Sequence, residues 1–169
     1  MKLNQFISAL LPFLYAYTSF AYPNLDPNLA LDDFQTRCSA IAPELSIQNA
    51  TIYFSEFIAA GTNLTLPENN VTCGQSFQFI SVDLCRVSLY VATSNRSGIN
   101  MEAFLPANWT RRFASVGNGG LQGCVGYDDL AYTASLGFAS VGANNGHNGT
   151  SGGAFYNNAD TVADFAYRS

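Results

Sequence analysis

The sequence is 169 residues long, 48% apolar and only 11% charged, with four cysteines and one histidine. Its single lysine is Lys2, so from residue 22 onward six arginines face twelve carboxylates. An acidic chain of this kind is unsuited to nucleic-acid phosphates or anionic membrane surfaces, and the absence of a Cys-X2-Cys pair argues against a zinc site.

Residues 1–21 read as a secretory signal peptide: Lys2, an apolar run from Phe6 to Phe20, and small residues before a cleavage point after Ala21. The run of about 15 residues is shorter than the roughly 20 a membrane-spanning helix needs. Residues 22–169 are then one domain. A short helix is expected over Leu31–Ile41, capped by Asp32 or Asp33, with Leu31, Phe34 and Cys38 on one face. Thr51–Ile58 reads as a strand and Leu64–Gly74 as a loop.

Phe77–Val82 and Val87–Val91 are rich in β-branched and aromatic residues and read as strands. Ser94–Gly98 is a turn, and Ile99–Leu105 is a strand closed by Pro106. Together they predict a hairpin. Arg112–Val116 is a further strand and Tyr127–Ser135 a helix capped near Asp128 or Asp129. Leu136–Val141 is an apolar strand, Asn144–Gly153 a loop, and Asn158–Arg168 a helix whose apolar face holds Val162, Phe165 and Ala166. A hairpin followed by strand, helix, strand and helix predicts an α/β fold whose sheet has an antiparallel start.

Six Asn-X-Ser/Thr sequons begin at Asn49, Asn63, Asn70, Asn95, Asn108 and Asn148. Behind a signal peptide they indicate a secreted, extracellular glycoprotein, and each one used must lie on the surface. Cys38, Cys73, Cys85 and Cys124 fit two disulfides in an oxidising compartment. Spacing leaves all three pairings open.

The segment Gly117-Asn118-Gly119-Gly120 follows a strand and precedes a helix. No lysine follows it and the helix starts several residues later, so a phosphate loop fits poorly. A glycine loop that offers backbone N–H groups to an oxyanion fits better, because a carbonyl could approach without meeting a Cβ. A plain turn is the plainer alternative. The G-X-S-X-G pattern at Gly149–Gly153 would put a nucleophile at Ser151, but it lies in a polar loop and shares Thr150 with a sequon. His147, the only histidine, precedes Ser151, against the serine–acid–histidine order of the hydrolase fold. It is expected to order its own asparagine-glycine loop.

Residues 116–168, with the blocks "GNGGLQGC", "SLGFASVGANNGHNGTSG" and "DFAYRS", closely resemble the fungal tannase and feruloyl esterase family, and "INMEAFLPANWTRRFASVGNGG" extends the likeness upstream. The resemblance implies a secreted serine esterase, a carboxylic ester hydrolase on an α/β-hydrolase core, acting on plant phenolic or cell-wall esters. It implies that Gly119 or Gly120 supplies an oxyanion N–H, and that Cys38 pairs with Cys85 and Cys73 with Cys124. The family's Cys-Ser-X-Gly-Gly nucleophile motif is not in this sequence. The nucleophile, acid, histidine and lid domain with its structural calcium are expected beyond residue 169. On that reading the chain is the N-terminal part of a hydrolase, truncated before the nucleophile strand and inactive alone. It holds no cofactor of its own, and Leu136–Val141 awaits the nucleophile strand beside it. A non-catalytic secreted glycoprotein domain on the same scaffold is the alternative.

Overall fold

The computed structural model describes residues 27–169. The expected signal peptide lies outside the described residues. Among them no helix is long and apolar enough to cross a membrane.

Helix α1 spans Pro27–Glu44, longer than the expected Leu31–Ile41. Proline suits a first helical position because its missing N–H has no partner there anyway. Asp32 and Asp33 are therefore exposed residues of the helix body, not caps. Pro43 removes a helical hydrogen bond, and the helix stops one residue later.

The strands follow in order: β1 (Ala50–Ile58), β2 (Asn63–Thr65), β3 (Phe77–Phe79), β4 (Leu84–Ala92), β5 (Gly98–Pro106), β6 (Arg112–Val116) and β7 (Phe138–Ala143). Five form one sheet in the order β1-β4-β5-β7-β6. The pairs β1/β4, β4/β5 and β5/β7 are antiparallel, and β6/β7 is parallel. The expected mixed α/β sheet with an antiparallel start is thus present. β2 and β3 make a separate two-stranded ribbon, in a region where the sequence suggested a loop and a longer strand. The ribbon was hard to read because only three residues on each side pair.

The central strands are buried on both faces. Along β4, Leu84, Cys85, Arg86 and Val87 are all buried in succession. One face packs Cys85, Val87 and Leu89 with Cys38, against Phe34 and Ile41 of α1. Phe34 meets Phe57 edge-on at 6.1 Å. The other face packs Leu84 and Phe104 against helix α2 (Tyr127–Ser135) through Tyr127, Leu130 and Ala134, and the ribbon adds Leu64, Leu66 and Ile80. One helix lies on each side of the sheet, as an α/β layer architecture requires.

Gly126, not Asp128 or Asp129, precedes α2, and it makes no side-chain cap. The two aspartates occupy the first turn, where carboxylates favour the positive end of the helix dipole. β7 runs two residues later than the apolar run suggested, because Gly137 closes α2 with φ +79° and its N–H donates to the Ala134 carbonyl at 2.9 Å. β7 also has partners on both sides, β5 and β6. The edge strands are β1 and β6, and on β6 Phe113 is 67% exposed.

The last segment is helix α3 (Ala159–Ala163) running into a π-helical turn, Asp164–Arg168. Asn158 caps it by accepting from the Thr161 N–H at 3.2 Å. The buried residues are Thr161, Ala163 and Asp164, whereas Val162 is 44% exposed and Ala166 is exposed. The expected apolar face is therefore turned outward, except for half-buried Phe165.

Cys38 is bonded to Cys85 and Cys73 to Cys124. The first bridge ties α1 to β4. The second ties a one-turn 3-10 helix, Val71–Cys73, to the segment between β6 and α2.

Candidate active-site loop

The chain leaves β6 at Val116 and reaches Gly117–Gly120 at one end of the sheet. Asn118 turns its amide back on the sheet and donates from Nδ2 to the Ala143 carbonyl, the last residue of β7, at 2.8 Å. Gly120 has φ +59°, a left-handed conformation that favours glycine. The Gln122 N–H donates to the Gly119 carbonyl at 3.2 Å, which closes the turn. Gly123 then pairs with Gly149, its N–H donating to the Gly149 carbonyl at 2.7 Å. Cys124 adds the covalent tie to Cys73.

Between these anchors the N–H groups of Gly119 and Gly120 donate to no other group among the described residues. A Cβ built on Gly117, Gly119 or Gly120 would meet nothing within 4 Å. Glycine is thus not needed at 117 and 119 to avoid this chain's own atoms. The loop leaves room for a group that approaches from outside.

His147 is 6% exposed and lies beneath this turn. Its Nε2 is 3.0 Å from the Leu121 carbonyl, and since a carbonyl only accepts, Nε2 carries the hydrogen. The ring lies between Phe155 (4.8 Å) and Phe165 (5.9 Å), and Nδ1 has no partner among the described residues. The histidine therefore steadies the exit from the glycine loop as well as its own loop. Asn144 orders the latter: its Oδ1 accepts from the N–H groups of Asn100 and Gly146, and its Nδ2 donates to Asn148. Ser151 is exposed, precedes a short 3-10 helix (Gly152–Phe155) and makes no hydrogen bond to His147. The structure does not assemble a serine–histidine pair here.

All six sequon asparagines are exposed. Asn70 and Asn148 lie close together: the Thr72 hydroxyl donates to Asn70 Oδ1 and accepts from the Thr150 N–H.

A buried ion-pair network on the α2 side of the sheet was not anticipated from the sequence. Arg86 donates to Glu102 through Nε and a terminal nitrogen, both at 2.8 Å. It also pairs with Glu56 at 3.2 Å and with Glu68. The Tyr127 hydroxyl lies 3.3 Å from Glu102, and the rings of Phe54 and Tyr127 flank the guanidinium. Burial alone would weaken the charge on Arg86, but hydrogen bonds to Glu102 and Glu68 reverse this and hold it protonated. Burial pushes the Glu102 carboxyl above its ordinary range, against the pull of Arg86. Burial, then the charge of Glu102, pushes the Tyr127 phenol upward. A signal existed in the sequence: Arg86 and Glu102 occupy inward positions of two hairpin-paired strands, where a lone charge would be costly. Among the described residues no three His, Cys, Asp or Glu side chains gather to hold a metal ion.

No protein-family model matches the chain. The chain is 56% identical over 138 residues to a probable feruloyl esterase B-2 of Neosartorya fischeri, which covers 82% of this chain and 26% of that protein. It is 54% identical over 138 residues to feruloyl esterase C of Talaromyces stipitatus, with the same coverage. Among solved structures, an esterase from Aspergillus oryzae superposes with a TM-score of 0.78 at 51% identity, covering 80% of this chain and 27% of that one. Feruloyl esterase B from Aspergillus oryzae gives 0.77 at 46% identity, with the same coverage. The chain spans about a quarter of the length of the curated relatives it matches. It belongs to the fungal tannase and feruloyl esterase family.

Proposed function

We propose that this chain supplies the oxyanion-binding part of a secreted carboxylic ester hydrolase that acts on plant phenolic esters. The observation that carries the proposal is the pair of undonated N–H groups at Gly119 and Gly120, held in open space between the Asn118 anchor and the Gly123–Cys124 anchors. Donors fixed in advance around a developing alkoxide stabilise it without reorganising during the reaction. Similarity to proteins named feruloyl esterase supports the substrate class.

In this reading the serine nucleophile, its acid and its histidine come from sequence outside this chain, as does the calcium of a lid domain. The residues present bind and orient the ester carbonyl and carry out no bond-breaking step themselves. Residues 1–21 direct secretion, and the sequons carry glycans.

The test has two arms. Mature transcript read past codon 169 should encode a Cys-Ser-X-Gly-Gly motif followed by an Asp and a His-Cys. The full-length product should hydrolyse methyl ferulate or methyl gallate, and residues 22–169 alone should not. A confirmed stop codon after Ser169 would overturn the esterase reading in favour of a non-catalytic glycoprotein domain. Turnover by the short chain that Ser151→Ala abolishes would instead place the nucleophile in the Gly149–Gly153 loop.

A further inference from the structure

The β2–β3 ribbon has two unlike faces. Leu64 and, just beyond the strands, Leu66 and Ile80 turn inward and join the core beside α2. Side chains alternate along a strand, so Asn63, Thr65, Phe77 and Phe79 turn outward. Phe77 is 59% exposed and Phe79 53%. Two phenyl rings thus stand in water on a strand only three residues long. Polar bonds steady that strand: Gln78 Nε2 donates to the Phe79 carbonyl at 3.0 Å, and Gln78 Oε1 accepts from Gln75 at 2.7 Å.

The register sets a glycan acceptor directly against these rings. Of the six sequon asparagines, only Asn63 lies in a strand. It faces Phe79 across the ribbon, and Thr65, the hydroxyl residue of the same sequon, faces Phe77. Backbone bonds fall on the alternate pairs: the Ile80 N–H donates to the Thr62 carbonyl at 2.8 Å, and the Leu66 N–H to the Ser76 carbonyl at 2.9 Å. Asn63 and Phe79 are therefore a non-hydrogen-bonded pair, the kind whose side chains come closest, with Cβ atoms about 4.5–5.5 Å apart. A sugar joined to Asn63 Nδ2 leaves the ribbon alongside the Phe79 ring. A β-linked N-acetylglucosamine turns the C–H bonds of C1, C3 and C5 to one face. That face is apolar and weakly positive, whereas the face of a phenyl ring is negative.

We propose that Phe79, flanked by Phe77, is a stacking platform for the first N-acetylglucosamine of a glycan on Asn63, and that this contact steadies the β2–β3 ribbon. The inference rests on the glycoprotein part of the reading above. The sugar covers apolar surface that otherwise faces water. Because it is covalently attached, its encounter with the ring is intramolecular and loses none of the freedom that a free ligand would. The ribbon pairs over only three residues on each side, so one added contact on its outer face is a large share of what holds it.

The experiment uses the full-length secreted product. Peptide mapping by mass spectrometry should find N-acetylglucosamine on Asn63. An endoglycosidase then trims the glycan to its first sugar, and amide hydrogen exchange is followed over residues 62–66 and 76–80. The trimmed protein is expected to keep the protection of the untrimmed one. Asn63→Gln is expected to speed exchange there by about threefold to tenfold, the worth of one aromatic contact. Phe79→Ala should do the same in the glycosylated protein and nothing further in the Asn63→Gln background, as a direct pair requires. Equal exchange with and without the sugar, or additive effects of the two changes, overturns the platform. Should Asn63→Gln not be secreted, removal of the whole glycan from the folded wild-type protein by an amidase gives the same comparison. A bare Asn63 beside other occupied sequons overturns the inference and leaves the glycoprotein reading standing. A product with no glycan on any sequon overturns both.

Discussion

Arg86 and Glu102 meet on the inner face of two paired strands, each only 4% exposed. A buried ion pair gains little over well-packed apolar residues, but removing one partner strands the other charge. Arg86→Leu should therefore cost about 3–5 kcal/mol in chemical denaturation. The double change Arg86→Leu with Glu102→Leu should recover much of that loss. Gly146 offers a second test. Its φ is +79°, and an added Cβ would fall 2.4 Å from the Asp164 Cβ. Gly146→Ala should lower stability by more than the ~1 kcal/mol of the left-handed backbone alone, and the same melt would read it. Asp164 is fully buried. Burial pushes its pKa upward, but hydrogen bonds from Thr93, Ser97 and Arg168 outweigh that, and the carboxyl titrates below its ordinary value. A depressed folded-state value means the unfolded chain takes up its proton first. The stabilisation is thus complete above the ordinary carboxylate range and fades as pH falls below it. Asp164→Asn should flatten that part of the stability–pH curve, and an unaltered acid limb would show that Asp164 does not cause it.

At the scale of elements, the second disulfide links the Val71–Cys73 turn to the strand-to-helix segment that follows the glycine loop. It closes 51 residues, for which chain entropy gives a stabilisation of about 4 kcal/mol. Replacing Cys73 and Cys124 together by serine should lower stability on that order, and non-reducing peptide mapping of the parent should yield Cys38–Cys85 and Cys73–Cys124 peptides. Much of this layer was legible in the sequence. Arg112–Val116 forms within its expected bounds, and Tyr127–Ser135 does so because Tyr127, Leu130, Ala131 and Ala134 give it one apolar side. The hairpin of β4 and β5 is legible for the same reason. What was not legible depends on partners distant in sequence. Leu64 and Ile80 are buried because the ribbon folds over α2, which nothing local to either segment announces. In the last helix a single polar residue decides the orientation. Asp164 turns inward to meet Thr93 and Arg168, and that rotation carries Val162 to the surface. The glycine loop was legible as a loop, but the cleft of about 400 Å³ beside it was not, since its lining residues Gln75, Gln122 and Asp129 come from three separate segments.

At the scale of the whole molecule, the described residues place one parallel pair at an edge of the sheet, with β6 outermost and Phe113 facing solvent. An exposed edge carrying a large apolar side chain is a template for pairing with another chain. Residues 22–169 expressed alone should bind an apolar dye and self-associate. Phe113→Lys should reduce both, as measured by dye fluorescence and light scattering, whereas Phe34→Lys, within the α1 face, should unfold the domain instead.

The two disulfides are interleaved along the chain, Cys38 to Cys85 and Cys73 to Cys124. During synthesis the amino-terminal part emerges first, so wherever the chain is made into an oxidising compartment Cys38 and Cys73 are both exposed before either native partner is available. The first bond open to them is a wrong one. Native pairing then requires a thiolate to attack and exchange that bond once Cys85 has emerged, a reaction that takes seconds to hours and depends on an isomerase. When the chain is expressed through an oxidising secretory route, the yield of native protein should accordingly follow the isomerase capacity of the host more closely than its rate of translation.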